Sequence, residues 1–284
     1  MKFTVVLTAA FPAITRELLA PHFDVIEHPT EHDRSEEDVM TIVAEADAAI
    51  TLLSDPVTRR VLESNPNLRI VSNFAVGYNN VDVDAARELG VAVTNTPGVL
   101  TEATADLTMA LILAITRRIV EGDEEIRTTG RCEWEPLKLL GASLQGKRLG
   151  IVGMGRIGSA VATRARAFGM DVIGVRRGEP IDELLATSDV VSIHAPLTAD
   201  THHLINADAL AKMKRTAYLI NTARGALVDE SALCDALENG RLRGAALDVY
   251  EHEPEVNPRL LTMKNVVLAP HIGSATDEAR NAMG

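Results

Sequence analysis

The sequence predicts an α/β protein built as two doubly wound parallel-sheet domains with a cleft between them. Three observations carry this. The chain has 284 residues, which is long for one domain and comfortable for two. Hydrophobic residues make up 46% and aromatics only 3%, so the core must be Val, Ile, Leu and Ala, which suits strands buried on both faces. Short β-branched runs alternate with helical patterns from end to end, the βαβ rhythm.

In the first half, Val5 to Leu7, Ala48 to Thr51, Ile70 to Asn73 and Ala92 to Thr94 read as strands. A helix is expected from about Pro12, with others over Glu37 to Ala46, Thr58 to Asn65 and Asp82 to Leu89. Asn95-Thr96-Pro97-Gly98 interrupts the rhythm and reads as a hinge. One long core helix is expected from about Thr101 to Arg127. A second series then supplies strands at Leu149 to Val152, Val172 to Val175, Val190 to Ile193, Ala217 to Asn221, Ala245 to Asp248 and Val266 to Ala269. The expected domains are 1–97, joined by the returning 277–284, and 98–276.

The formal net charge of −12 argues against a nucleic-acid partner, because phosphate binding needs a basic footprint. Cys132 and Cys234 form neither a metal-ligand spacing nor a disulfide framework, which fits a reducing, cytoplasmic setting. The apolar start at Met1 to Ala10 could mimic a signal peptide, but a strand–helix rhythm continues from it. No apolar run approaches the ~20 residues a membrane span needs.

Gly153-Met154-Gly155-Arg156-Ile157-Gly158 fits G-x-G-x-x-G. Alone the pattern is weak. Here it follows the strand Leu149 to Val152 and opens a helix over Ile157 to Ala167, the order a dinucleotide loop requires. Gly153 permits the turn, Gly155 admits a pyrophosphate to the backbone, and Gly158 lets the helix pack on the strand. The helix N-terminus offers free N–H groups to the phosphates. An NAD-binding loop would carry an acid at the end of the next strand, but Arg176 and Arg177 stand there. A guanidinium pair suits a ribose 2′-phosphate, so NADP is the expected preference, with NAD possible.

Arg224, Glu253 and His271 each follow a late strand, where ligands of open α/β sheets bind. An arginine fork can hold a substrate carboxylate and polarise a keto oxygen. An imidazolium can deliver a proton as hydride reaches carbon. A neighbouring carboxylate favours the charged imidazole. Each residue alone has a bland reading: a surface cation, a loop acid before proline, a capping histidine. Three strand ends downstream of a nucleotide loop together point to reduction of a 2-keto acid.

On these motifs the chain resembles the D-isomer-specific 2-hydroxyacid dehydrogenases over nearly its whole length. Further matching stretches are Ala75 to Asp82, Thr101 to Asp106, His194-Ala195-Pro196-Leu197-Thr198, Asp248 to Pro254 and Pro270 to Ser274. The resemblance implies a flavodoxin-like substrate domain followed by a Rossmann cofactor domain, with the last helix returning to the first. It places the family's arginine, glutamate and histidine on Arg224, Glu253 and His271, and its carboxylate-binding N–H groups on Val76 and Gly77. Further cofactor contacts fall on Thr104, Arg156, Ile157, His194, Pro196, Thr222, Ala223, Asp248, Gly273 and Ser274. Leu53 and Trp134 are expected at the substrate pocket, with Trp134 reaching it from a neighbouring subunit of a homodimer. Trp134-Glu135-Pro136 and the arginine pair look most like the glyoxylate/hydroxypyruvate reductases of the family. Phosphoglycerate and phosphite dehydrogenases are the enzymatic alternatives, and a dinucleotide-sensing scaffold the non-enzymatic one. Two departures stand out. The loop after Arg177 is short, and the sequence stops at Gly284, where family members continue with another helix.

His202 and His203 are read as surface residues and no metal is expected, because adjacent histidines on a strand or helix rarely point the same way and no matching carboxylate cluster is evident. The acidic stretch Glu31 to Glu37 is expected to be a loop and helix start.

Overall fold

The structure is a computed structural model and describes residues 2–29 and 34–284. It divides into two compact units, Met1–Leu100 with Ser274–Gly284, and Thr101–Gly273. The expected divisions were after 97 and after 276.

The first unit runs β1 (Thr4–Leu7), α1 (Ala13–Leu19), β2 (Asp24–Glu27), α2 (Glu36–Val43), β3 (Ala48–Thr51), α3 (Arg59–Glu63), β4 (Ile70–Asn73), α4 (Val83–Leu89) and β5 (Ala92–Thr94). All five strands pair in parallel, in the order β2-β1-β3-β4-β5, the flavodoxin-like order. Val6, Ala49 and Val71 of the central strands pack with Val39, Val61 and Ala85 of the helices. Local chemistry sets the helix starts. Ser35 and Asp38 form a reciprocal capping box before α2, while Thr58 and Asp82 cap α3 and α4. Glu36 and Glu37 thus sit in the first turn of α2, as expected for acids there. Glu31, His32 and Asp33 lie outside the described residues. The sequence reading missed β2, because this edge strand carries Asp24 and Glu27 and buries almost nothing.

The second unit begins with α5 (Thr101–Thr116) and α6 (Ile119–Thr129). It continues through β6 (Arg148–Val152), α7 (Arg156–Ala167), β7 (Asp171–Val175), α8 (Asp182–Thr187), β8 (Val190–Ile193), α9 (Ala207–Lys212), β9 (Tyr218–Asn221), α10 (Glu230–Glu238), β10 (Gly244–Leu247) and β11 (Val266–Leu268). The last helix, α11 (Asp277–Met283), belongs to the first unit, where Arg280 lies over the Phe74 ring at 5.9 Å. No described helix is long and apolar enough to cross a membrane.

The expected single helix from Thr101 to Arg127 is two helices. The Thr116 carbonyl accepts from the N–H of Ala142 instead of continuing the helix ladder, and Arg118 sits at φ 54 between them. Pattern alone did not show that break, because apolar spacing persists across it.

The second sheet is also all parallel, in the order β11-β10-β9-β8-β6-β7. Its central strands are buried on both faces. Leu219 points into one core with Leu185, Leu210 and Leu233, whereas Tyr218 and Ile220 point into the other with Ile112, Val161 and Ala165. The sheet departs from the six-stranded Rossmann order 3-2-1-4-5-6. Among the described residues no strand lies beyond β7, because the chain turns tightly at Arg176–Glu179 and soon enters α8. The order still reverses between β6 and β8, so the carboxyl ends of these strands flank the switch point where such sheets bind ligands.

Candidate active site

Arg224 follows β9 in a turn built by Asn221. The buried Asn221 amide accepts from the Ala223 N–H at 3.1 Å and donates to the Arg224 carbonyl at 2.8 Å. This is a local side-chain-to-backbone turn. Gly225 then passes directly against the segment leaving β10. A Cβ there would lie 1.8 Å from the Tyr250 carbonyl carbon and oxygen, so only glycine fits. Arg224 is therefore held next to the segment that carries Glu253. Burial lowers the pKa of its guanidinium, and the Glu253 charge works in the opposite direction. An arginine remains charged under either influence.

Glu253 and His271 meet. Glu253 Oε2 lies 2.9 Å from His271 Nδ1, and Glu253 Oε1 accepts from the Tyr250 N–H at 2.9 Å. Half-burial pushes the Glu253 carboxyl up. The His271 bond and charge, the Tyr250 N–H and Arg224 more than offset this, and its pKa ends below the usual value. With Nδ1 occupied, Nε2 is the ring nitrogen left to face a ligand. The side chains of His271 and Glu253 stay 27% and 31% exposed, open enough for one.

Two residues lock this pair in place. His271 has φ 54, an unusual conformation for a side chain of its size. Asp248 holds it by accepting from the N–H groups of Ile272 and Gly273, both at 2.8 Å. Burial raises the Asp248 carboxyl despite those two bonds and the nearby His271. The Tyr250 hydroxyl donates to the Ala269 carbonyl at 2.8 Å, tying the β10 exit to the β11 exit. Asn221, Gly225 and Tyr250 were not singled out from the sequence. The first had a signal, an Asn two residues before the turn, but the other two depend on which strands are neighbours.

The glycine loop leaves β6, which β8 separates from β9 in the same sheet. Gly153 has φ 103, and a Cβ on it would sit 2.6 Å from the backbone of His194 and Ala195 at the β8 exit. Gly158 would strike the Gly153 carbonyl at 2.3 Å. Gly155 caps α7, and a Cβ there would meet nothing within 4 Å. Arg156 and Ile157 form the first turn of α7. This open backbone at a helix start fits a dinucleotide pyrophosphate. Arg176 and Arg177 are exposed beyond β7, and among the described residues neither guanidinium has a carboxylate partner. The Glu179 carboxylate turns back onto the Arg176 N–H at 2.6 Å.

The remaining predicted residues are distributed as follows. Thr104 is buried on α5, next to Gly273, and Thr222 shares a hydroxyl bond of 3.0 Å with Thr108. His194 bonds Ser192 Oγ at 2.8 Å, and burial lowers its pKa to about 4. The Pro196 carbonyl accepts from Thr201. Ser274 falls in the first unit. So do Leu53, Val76 and Gly77. There Asn95 and Asn73 side chains take the carbonyls of Val76 and Gly77 at 2.7 and 2.8 Å, which fixes that loop. Trp134 is 85% exposed within the chain.

The histidine pair lies at the surface as expected, His202 exposed and His203 half-buried, but the grounds given for that reading do not hold. His202 and His203 stack with ring centroids 4.0 Å apart and 27° between planes, and His203 has φ 50. A carboxylate does accompany them: Glu251 Oε1 is 2.5 Å from His203 Nε2.

Residues 109–273 match the family D-isomer specific 2-hydroxyacid dehydrogenase, NAD binding domain. A glyoxylate reductase of Thermococcus litoralis is 51% identical over 258 residues, covering 85% of this chain and 78% of that protein. The TT0316 protein of Thermus thermophilus superposes with a TM-score of 0.93 at 44% identity, over 99% of this chain and 93% of that one. An NADPH-dependent glyoxylate/hydroxypyruvate reductase of Sinorhizobium meliloti, solved with NADP and malonate, gives 0.86 at 33% identity, over 100% and 90%.

The fold and the family match are thus those of a nicotinamide-dependent oxidoreductase of small 2-keto and 2-hydroxy acids. The chain belongs to the D-isomer specific 2-hydroxyacid dehydrogenase family.

Proposed function

We propose that this protein is a cytoplasmic, homodimeric glyoxylate/hydroxypyruvate reductase that prefers NADPH. The single observation that carries the catalytic part is the Glu253–His271 pair at 2.9 Å beside Arg224. A reduced nicotinamide, when bound, supplies the hydride to the keto carbon. Arg224 binds the substrate carboxylate and polarises the keto oxygen. His271 Nε2 gives that oxygen a proton, leaving the neutral ring hydrogen-bonded to Glu253 through Nδ1. Glu253 stabilises the charged ring before transfer and fixes its orientation. Asp248 keeps the His271 backbone in its unusual conformation. From the first unit we assign Val76 and Gly77 to the carboxylate and Leu53 to the side pocket, on the family resemblance.

Arg176 and Arg177, whose guanidinium groups have no carboxylate partner among the described residues, support the NADPH preference, since the Glu179 carboxylate is occupied by a backbone N–H. A named relative also supports it, being NADPH-dependent and solved with NADP. The homodimer rests on α6 and the segment after it. No α6 residue is buried, and Ile119, Ile126, Trp134 and Leu137 are all exposed. An 11-residue helix with no buried face gains little from its own hydrogen bonds, so a second copy is the natural cover. Light scattering is expected to return twice the 30.6 kDa chain mass; a monomer at micromolar concentration removes the dimer.

One screen tests the activity: glyoxylate, hydroxypyruvate, pyruvate and phenylpyruvate, each with NADH and NADPH. The expected ranking puts the first two substrates with NADPH on top. The Arg176→Asp variant is expected to lose about tenfold to a hundredfold in kcat/KM for NADPH while keeping NADH turnover. Equal use of both cofactors by the wild type, unchanged in the variant, rejects the assignment of Arg176.

A further inference from the structure

The histidine pair and Glu251 form a cluster that the reduction does not use. His202, His203 and Glu251 each offer one ligand atom, and those atoms all lie within 4.8 Å of one another. We propose that they bind one divalent transition metal ion of the zinc, cobalt and nickel class, as a clamp between the loop after β8 and the segment leaving β10.

The donor set argues for that class. Two neutral imidazoles with one carboxylate leave a fourth position for water, and imidazole-rich sets favour these ions over magnesium or calcium. The carboxylate is prepared for the task by its surroundings. The Glu230 N–H donates to Glu251 Oε2 at 3.1 Å, and the Glu251 N–H donates to Glu230 Oε1 at 2.7 Å. One oxygen of Glu251 is thus held by backbone, and the other is turned to the histidines. Outer bonds of this kind orient ligands in metal sites.

The backbone of His203 is held as well. Its N–H donates to the Ala226 carbonyl at 2.9 Å, although the residue sits at φ 50. Strained conformations of non-glycine residues concentrate at functional positions. In that conformation the two adjacent rings stack. Bonds of about 2.0–2.2 Å to one ion draw its ligand atoms to roughly 3.3 Å apart. The exposed His202 ring can rotate to close that gap, while His203 and Glu251 already touch.

The experiment titrates Zn²⁺, and separately Co²⁺, into the chelator-treated full chain at pH 7.5. Calorimetry is expected to find one ion per chain, and the Co²⁺ form to show the visible absorption of a low-coordinate nitrogen- and oxygen-ligated ion. Binding also raises the unfolding midpoint by several degrees, because the ion favours the folded chain. His202→Ala, an exposed change, weakens binding at least about tenfold and leaves the metal-free midpoint where it was. A His22→Ala control leaves binding intact. Absence of one-to-one binding up to millimolar ion, or equal affinity in His202→Ala, overturns the proposal. In the latter case other histidines hold the metal.

Discussion

Which of its two nitrogens is left over decides what His271 can do. Glu253 Oε2 occupies Nδ1, and the Asp248 carboxylate pins the two N–H groups that follow, so only Nε2 is available to a substrate. Removing the ring should therefore stop chemistry without disturbing the glycine loop. His271→Ala is expected to lower kcat by about 10²–10⁴-fold while dinucleotide affinity, read by fluorescence titration, stays within a few-fold of wild type. Near-normal turnover would remove His271 as the proton donor. A comparable loss of dinucleotide affinity would make it a binding residue instead. Glu253→Gln probes the same link more gently. It keeps a hydrogen-bond partner for Nδ1 and deletes the charge, so kcat should fall by less than in His271→Ala.

At the scale of elements, the site exists because three strand exits are fastened to one another. Gly225 lies against the Tyr250 carbonyl, and Tyr250 bonds the Ala269 carbonyl, so the exits of β9, β10 and β11 form one unit. Adding a single methyl at Gly225 has to push the first two apart. Gly225→Ala is expected to cost about 1–3 kcal/mol in denaturant unfolding and to reduce kcat/KM at temperatures where the variant is still folded. An unfolding midpoint equal to that of wild type would contradict the 1.8 Å approach. These fastenings also mark where the sequence stopped being legible. The buried strands could be read because their apolar runs are short and β-branched, and the glycine loop because its spacing is local. Arg224, Glu253 and His271 stood out as chemistry at strand ends. Gly225 and Tyr250 did not, since their roles need to know that β9, β10 and β11 are neighbours. The break at Arg118 was hidden by apolar spacing that runs through it. The His203–Glu251 contact joins residues 48 positions apart, beyond any motif.

For the whole molecule, His194 links stability to pH. It sits at the β8 exit, bonded to Ser192 Oγ, with its backbone under Gly153, and burial lowers its pKa to about 4. In the unfolded chain a histidine takes up its proton near pH 6.5. Between about 6.5 and 4 the unfolded state therefore binds one proton that the folded state refuses. Stability must fall as pH drops through that window and gain nothing further from this group below it. One such proton gives a slope of at most about 1.4 kcal/mol per pH unit. Glu253 acts in a lower window. Its depressed pKa keeps the stability of its ion pair through the ordinary carboxylate range, and that contribution is lost only as pH falls through the depressed value. Urea unfolding without dinucleotide, measured every half unit from pH 7.5 to 4.5, separates the two. Wild type is expected to lose stability steadily below about pH 6.5, and His194→Gln, which cannot take up a proton, to show a shallower decline over the same range. Parallel curves for the two proteins would mean that His194 is protonated in the folded state and that the slope belongs to other groups.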